Sequence, residues 1–141
     1  MKVLYTAKAT ATGEGRNGQV RSSDGLIDTK LAVPVEMGGA GGATNPEQLF
    51  AAGFAACFHN ALRLVARRAK TDVDGSQVTA EIGIGPSEAE GVRGFRLVAA
   101  LRVTLPGVDR ETAERLVAVT HQVCPYSQAT RGNIDLTVEI V

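Results

Sequence analysis

Two cysteines and two histidines are all the thiol and imidazole chemistry this chain holds, and they fall in two places: Cys57 with His59, and His121 with Cys124. Together they could be counted as a Cys2His2 metal set, but helical geometry opposes it. Residues 57 and 59 lie in one apolar helical stretch, about 200° apart around the axis, and cannot both face one ion. His121 and Cys124 are three apart and could converge, yet two ligands do not make a structural zinc site. No metal is expected. In a reducing compartment the two cysteines read as free thiols or a transient catalytic pair rather than a permanent bridge. Taken alone, Cys57 is a small apolar residue whose burial would raise its pKa and make it inert. Cys124, at a helix end before Pro125, is by itself equally unremarkable. Residues 13–18 (GEGRNG) match a GxGxxG pattern, but a dinucleotide fingerprint joins a strand to a helix. Here the pattern lies between two predicted strands, so it is a glycine-rich turn that presents Arg16. Arg16 and Glu47, singly, are surface charges, and Glu47 suits the first turn of a helix through the dipole.

The elements that must position these side chains are legible in outline. Residues 2–11 alternate as a strand, residues 19–23 begin a second, and Asp24-Gly25 signals a hairpin into a third strand at 27–35, whose Pro34 marks an edge or an end. A glycine-rich connector (37–43) leads to a strong helix start. There Asn45 caps, Pro46 takes the first helical position and Gln48 completes a capping-box-like pair. This helix extends to about residue 70. Phe50, Phe54, Cys57, Phe58, Ala61, Leu64 and Val65 share its broad apolar face, with alanine at 51, 52, 55 and 56. Strands follow near 77–84 and 94–105, joined by a polar loop around 86–91. A helix capped by Asp109 runs from 110 to about 123, and a cleanly alternating strand spans 133–141. The order β-β-β-α-β-β-α-β predicts an α+β fold with a mostly antiparallel sheet and a long central apolar helix, in one domain over residues 1–141.

Composition narrows the function classes. The 141 residues carry 15 Lys+Arg against 15 Asp+Glu, so no electrostatic footprint for nucleic acid or an anionic membrane is present. Aromatic residues are 4% and tryptophan is absent, which disfavours a stacking platform for bases or sugars. The N-terminus has no signal-peptide h-region, and no stretch is expected to span a membrane, so a cytoplasmic protein is expected.

Two longer strings carry a resemblance. Residues 44–58 (TNPEQLFAAGFAACF) resemble the first cysteine motif of the organic hydroperoxide resistance proteins of the Ohr/OsmC family, and residues 123–133 (VCPYSQATRGN) are similar to the second. ATGEGRNG at 11–18 and SSDG at 22–25 match as well, so the resemblance covers nearly the whole chain. The VCPYS string favours the Ohr branch. Departures are small: Glu14 and Asn17 beside the arginine, Phe54 where tyrosine is frequent, and Phe58-His59-Asn60 after the cysteine.

The resemblance implies a thiol peroxidase that reduces organic hydroperoxides to alcohols, built as an intertwined homodimer and recycled by a lipoyl-type dithiol, with no cofactor. By motif position Cys57 would be the peroxidatic cysteine, Cys124 the resolving one, and Arg16 with Glu47 the charged pair that activates the thiolate. Phe50, Phe54, Phe58 and Tyr126 would line an apolar substrate site suited to alkyl or fatty-acyl hydroperoxides. The chemistry agrees: a thiol on an apolar helix needs a cation to ionise, and arginine stays charged after desolvation. Glu47 and Cys57 are ten residues apart, about 15 Å along a straight helix. If both serve one site, either the helix bends near Gly53 or the parts come from two chains. The alanine-rich surface favours the second, with Cys57 and Cys124 of one subunit meeting Arg16 and Glu47 of the other. The rival readings are a non-catalytic protein that binds an apolar ligand and a thiol redox sensor; neither nucleic acid nor membrane is an expected partner.

Overall fold

The Asp24-Gly25 turn sets the register of the first sheet. Gly25 takes a left-handed φ of 75°, as a tight reversal requires, and Asp24 Oδ1 accepts from Ser22 Oγ and from the Leu26 N–H. On either side, β2 (Gln19–Ser22) pairs antiparallel with β3 (Asp28–Lys30), and β1 (Ala9–Thr12) pairs antiparallel with β2 on its other edge. The structure, a computed structural model, describes residues 1–88, 91 and 93–141; the middle of the expected 86–91 loop lies outside the described residues. The chain divides into two compact units, Met1–Leu49 and Phe50–Val141.

In the first unit the strands are shorter than the alternation predicts. Residues 2–8 form no strand. Ser23 N donates to Lys8 O, and β2 then gives way to its turn, so no partner in the unit continues the ladder; Val3, Leu4 and Tyr5 are exposed. The third strand stops at Lys30 rather than Val35. Leu31 makes only an isolated parallel bridge to Thr44, and Pro34 precedes a 3-10 turn at Val35–Met37. A second 3-10 turn, Gly15–Asn17, joins β1 to β2 and carries Arg16.

The long helix α1 is Pro46–Arg68. Asn45 caps it, with Oδ1 accepting from Gln48 N at 2.9 Å. The expected reciprocal arm differs: Gln48 Oε1 accepts from the Thr44 hydroxyl. At the other end the Thr71 and Lys70 N–H groups donate to the carbonyls of Ala66 and Arg67, and Lys70 sits at φ 53°. That is the paired closure of a Schellman motif, with lysine where glycine is favoured. Lys70→Gly is therefore expected to stabilise the protein by about 0.5–1 kcal/mol, through relief of left-handed strain offset by glycine's entropy. A thermal melt with an unchanged or lower midpoint would contradict this.

In the second unit α1 buries Phe54, Phe58, Ala61, Leu62, Val65 and Ala66. Leu64, expected on that face, is 43% exposed. At 3.6 residues per turn it stands about 120° from Phe58, outside the stripe, whereas Leu62 and Ala66 fall inside it. By length and mean hydropathy α1 could cross a membrane, contrary to the sequence expectation, because alanines fill the positions between its larger apolar residues. Its buried stripe instead enters a protein core.

That core is completed by the second sheet, β4 (Gln77–Pro86), β5 (Phe95–Thr104) and β6 (Asp135–Ile140), and by α2 (Arg110–Val123). β4 and β5 pair antiparallel, and β5 and β6 parallel. The register aligns Val78, Val103 and Ile140, then Ala80, Leu101 and Val138, then Ile82, Ala99 and Leu136 in rows across one face, as period-two alternation demands. The single parallel pair requires a crossover, supplied by α2 and by α3 (Pro125–Thr130). The sequence reading lacked α3. The α+β order with a long apolar helix holds, but among the described residues the strands form two three-stranded sheets rather than one.

Candidate active site

Within Met1–Leu49, the turn after β1 and the first turn of α1 bring Arg16 and Glu47 together. Arg16 Nη1 donates to Glu47 Oε2 at 2.8 Å and Nη2 to Oε1 at 2.6 Å, the two-pronged geometry that fixes a guanidinium plane. The Glu47 side chain is only 12% exposed and that of Arg16 37%. The hydrogen bonds from Arg16 hold the Glu47 carboxyl below its ordinary pKa, against the opposing effect of burial. The same pairing raises Arg16.

A carboxylate with a depressed folded pKa adds stability above its unfolded value and loses it as pH falls through the folded one. The stability margin of wild type over Glu47→Gln should therefore be constant above about pH 5 and shrink below about pH 4.3. Urea unfolding at stepped pH checks this; a margin unchanged down to pH 3 would contradict it.

Within Phe50–Val141 the two cysteines converge from elements far apart in sequence. Cys57 lies on the flank of α1, about 100° around the axis from Phe58, and is half-buried. Cys124 ends α2 and begins α3, because Pro125 opens a new helix, and it is wholly buried. Its thiol donates toward Cys57 Sγ at 3.7 Å. Both are free thiols. Burial pushes the Cys57 thiol up, the Tyr126 backbone N–H pulls it down, and Cys124 pushes it up again, with a net rise.

Beside the thiols lies an aromatic cluster. Tyr126 stacks on Phe50, with ring centroids 6.0 Å apart, and tilts against Phe54 at 5.8 Å; Phe50 and Phe54 meet at 5.9 Å. Phe58 does not join it. Phe58, which the sequence groups with the substrate-binding residues, is fully buried in the core near the centre of the helix stripe, as is Phe54.

Neither histidine is turned toward a shared site. His59 Nε2 is 2.9 Å from Ser76 Oγ, and His121 Nδ1 is 3.1 Å from the buried Ser127 Oγ. Burial chiefly, then Arg131, lowers the His121 pKa. Sequence reading missed two features of this region. One is the Tyr126 N–H, which Pro125 at a helical first position could have signalled; the other is the close approach of Tyr126 to Gly53, a packing contact with no sequence signature.

A half-buried thiol opposed by a buried one, on a long apolar helix of an α+β chain, defines a two-cysteine thiol protein. The OsmC-like protein family model matches residues 39–139, and the chain belongs to that family. An organic hydroperoxide resistance protein of Xanthomonas axonopodis pv. citri is 53% identical over 140 residues, covering 99% of this chain and 96% of that protein. The organic hydroperoxide resistance protein OhrB of Bacillus subtilis is 43% identical over 137 residues, covering 97% and 98%. A crystal structure of an organic hydroperoxide resistance protein from Legionella pneumophila superposes with a TM-score of 0.92 at 49% identity, over 99% of this chain and 98% of that one.

Proposed function

We propose that this protein is a thiol-dependent peroxidase that protects against organic hydroperoxides by reducing them to alcohols. The observation that carries the reading is the 3.7 Å approach of two free thiols with unequal exposure beside an aromatic wall, in a chain more than half identical to a protein named for organic hydroperoxide resistance. The Cys57 thiolate attacks one peroxide oxygen, the O–O bond breaks, and the alkoxide takes a proton to leave as the alcohol, giving a sulfenic acid on Cys57. The Cys124 thiol then displaces water from that sulfur and a disulfide forms. An external dithiol of the lipoyl type reopens it by exchange, becoming a disulfide itself.

The half-buried thiol takes the role of nucleophile, and the enclosed one that of resolver. Because burial and Cys124 together hold the Cys57 thiol up, ionisation needs a cation. The resemblance assigns that task to Arg16, with Glu47 locking its guanidinium in the observed fork. A guanidinium so held also suits the charge that develops on the leaving oxygen. We further propose a homodimer and a cytoplasmic setting. The unpaired apolar residues Val3, Leu4 and Tyr5, ahead of a strand with a free continuation, suit a partner chain. Turnover of cumene hydroperoxide with dihydrolipoamide as reductant tests the reading. Sustained production of the alcohol supports it; a protein that binds the compound without consuming reductant is instead an apolar-ligand carrier, and a single stoichiometric oxidation without turnover is a sensor.

A further inference from the structure

Gly53 lies in the interior of α1, where glycine weakens a helix relative to alanine. No unusual backbone conformation accounts for it, since Gly53 is not among the positive-φ glycines. Tyr126 borders the space where its side chain would be, so closely that an added Cβ would require the ring to give by a few tenths of an ångström. A Cβ at position 53 would stand 3.2 Å from Tyr126 Oη and 3.3 Å from Cε2, closer than such contacts ordinarily settle, so the ring would have to move. That ring packs against both Phe50 and Phe54 and belongs to the second residue of α3, whose capping residue is Cys124. The bare patch of helix at Gly53 is thus the seat that docks the start of α3 against the turn of α1 carrying Cys57.

We propose that Gly53 is a positioning residue for closure of the Cys57–Cys124 disulfide: the missing side chain lets Tyr126 sit on α1 and sets the main chain of Cys124 at bonding range of Cys57. A disulfide has an S–S length of about 2.05 Å, so the sulfurs, 3.7 Å apart, close by about 1.7 Å. A displacement of the Tyr126 ring moves a residue two positions from Cys124 and so disturbs that placement.

The inference rests on the reading that disulfide closure is a step of turnover, but its test needs no hydroperoxide. The protein is equilibrated with mixtures of glutathione and glutathione disulfide. One glutathione disulfide is reduced to two glutathione thiols for each Cys57–Cys124 bond formed, and the equilibrium constant measures how well the thiols are placed. Gly53→Ala is expected to lower that constant about tenfold, while far-UV circular dichroism shows an intact fold. In a Tyr126→Phe background, which keeps Cε2, the loss should persist. In a Tyr126→Ala background, which keeps the backbone N–H but removes the ring, adding Gly53→Ala should change the constant by less than about twofold. A Gly53→Ala protein with the wild-type constant overturns the proposal, as does an equal loss in the Tyr126→Ala background or a wild-type protein that forms no such disulfide. Absence of peroxidase turnover with these constants as expected would sink the functional reading and leave the positioning role standing.

Discussion

Cys57→Ser is expected to lose hydroperoxide turnover by on the order of 10⁴-fold or more, the scale reached when a catalytic nucleophile is deleted. Among the described residues of Phe50–Val141 the groups that act on Cys57 are the Tyr126 N–H and the Cys124 thiol, and neither is a base that would ionise a serine hydroxyl. Cys124→Ser should behave differently. Its Cys57 still meets the peroxide, so one equivalent is consumed, but no second thiol displaces water from the sulfenic acid. Steady-state turnover with a dithiol then falls, and excess peroxide drives Cys57 toward sulfinic acid. Stopped-flow mixing followed by alkylation and mass mapping separates the two variants. Equal loss of the first oxidation in both would mean that neither thiol has a distinct role.

The second large effect is selectivity. Phe50, Phe54 and Tyr126 form a continuous aromatic cluster in the unit that holds both thiols. Each methylene buried against such a surface contributes about 0.8 kcal/mol, so four of them give roughly 3 kcal/mol, or about two-hundredfold in kcat/KM. A hydroperoxide with a chain of that size should therefore outrun hydrogen peroxide by about two orders of magnitude. Tyr126→Ala should narrow the ratio by lowering the organic substrate alone. Equal efficiencies for the two peroxides in the wild type would remove the apolar wall from the mechanism.

Much of this was legible in the residues, for physical reasons that differ from place to place. The start of α1 was plain because Asn45, Pro46 and the run after them satisfy local capping rules that need no tertiary context. The β6 alternation of Leu136, Val138 and Ile140 was equally plain, since a half-buried strand has period two. The first strand was overdrawn: alternation at 2–11 records a preference for strand, while a ladder also needs a partner, and β2 ends at Ser22. Leu64 was misplaced and Leu62 overlooked because an Ala-rich helix blurs the edges of its apolar stripe. α3 was missed as the single residue Cys124 both ends one helix and caps the next. Of the candidate site, the cysteine pair and the Arg16–Glu47 pair are named from motifs, but nothing local in the sequence distinguishes Phe58 from Phe50 and Phe54, whose rings meet Tyr126. The use of Gly53 was hidden for the same reason: a close approach between α1 and α3 is a property of packing.

In this mechanism Cys57 is oxidised first and Cys124 resolves it within the same chain. The most direct measurement mixes reduced wild-type protein with one equivalent of cumene hydroperoxide, quenches with an alkylating agent at successive times, and maps the products by mass spectrometry while the alcohol is quantified. The expected result is one alcohol per chain, a transient sulfenic acid on Cys57 alone, and its conversion to an intrachain Cys57–Cys124 disulfide. Sulfenic acid appearing first on Cys124, or hydroperoxide consumed with both thiols still free, would contradict it.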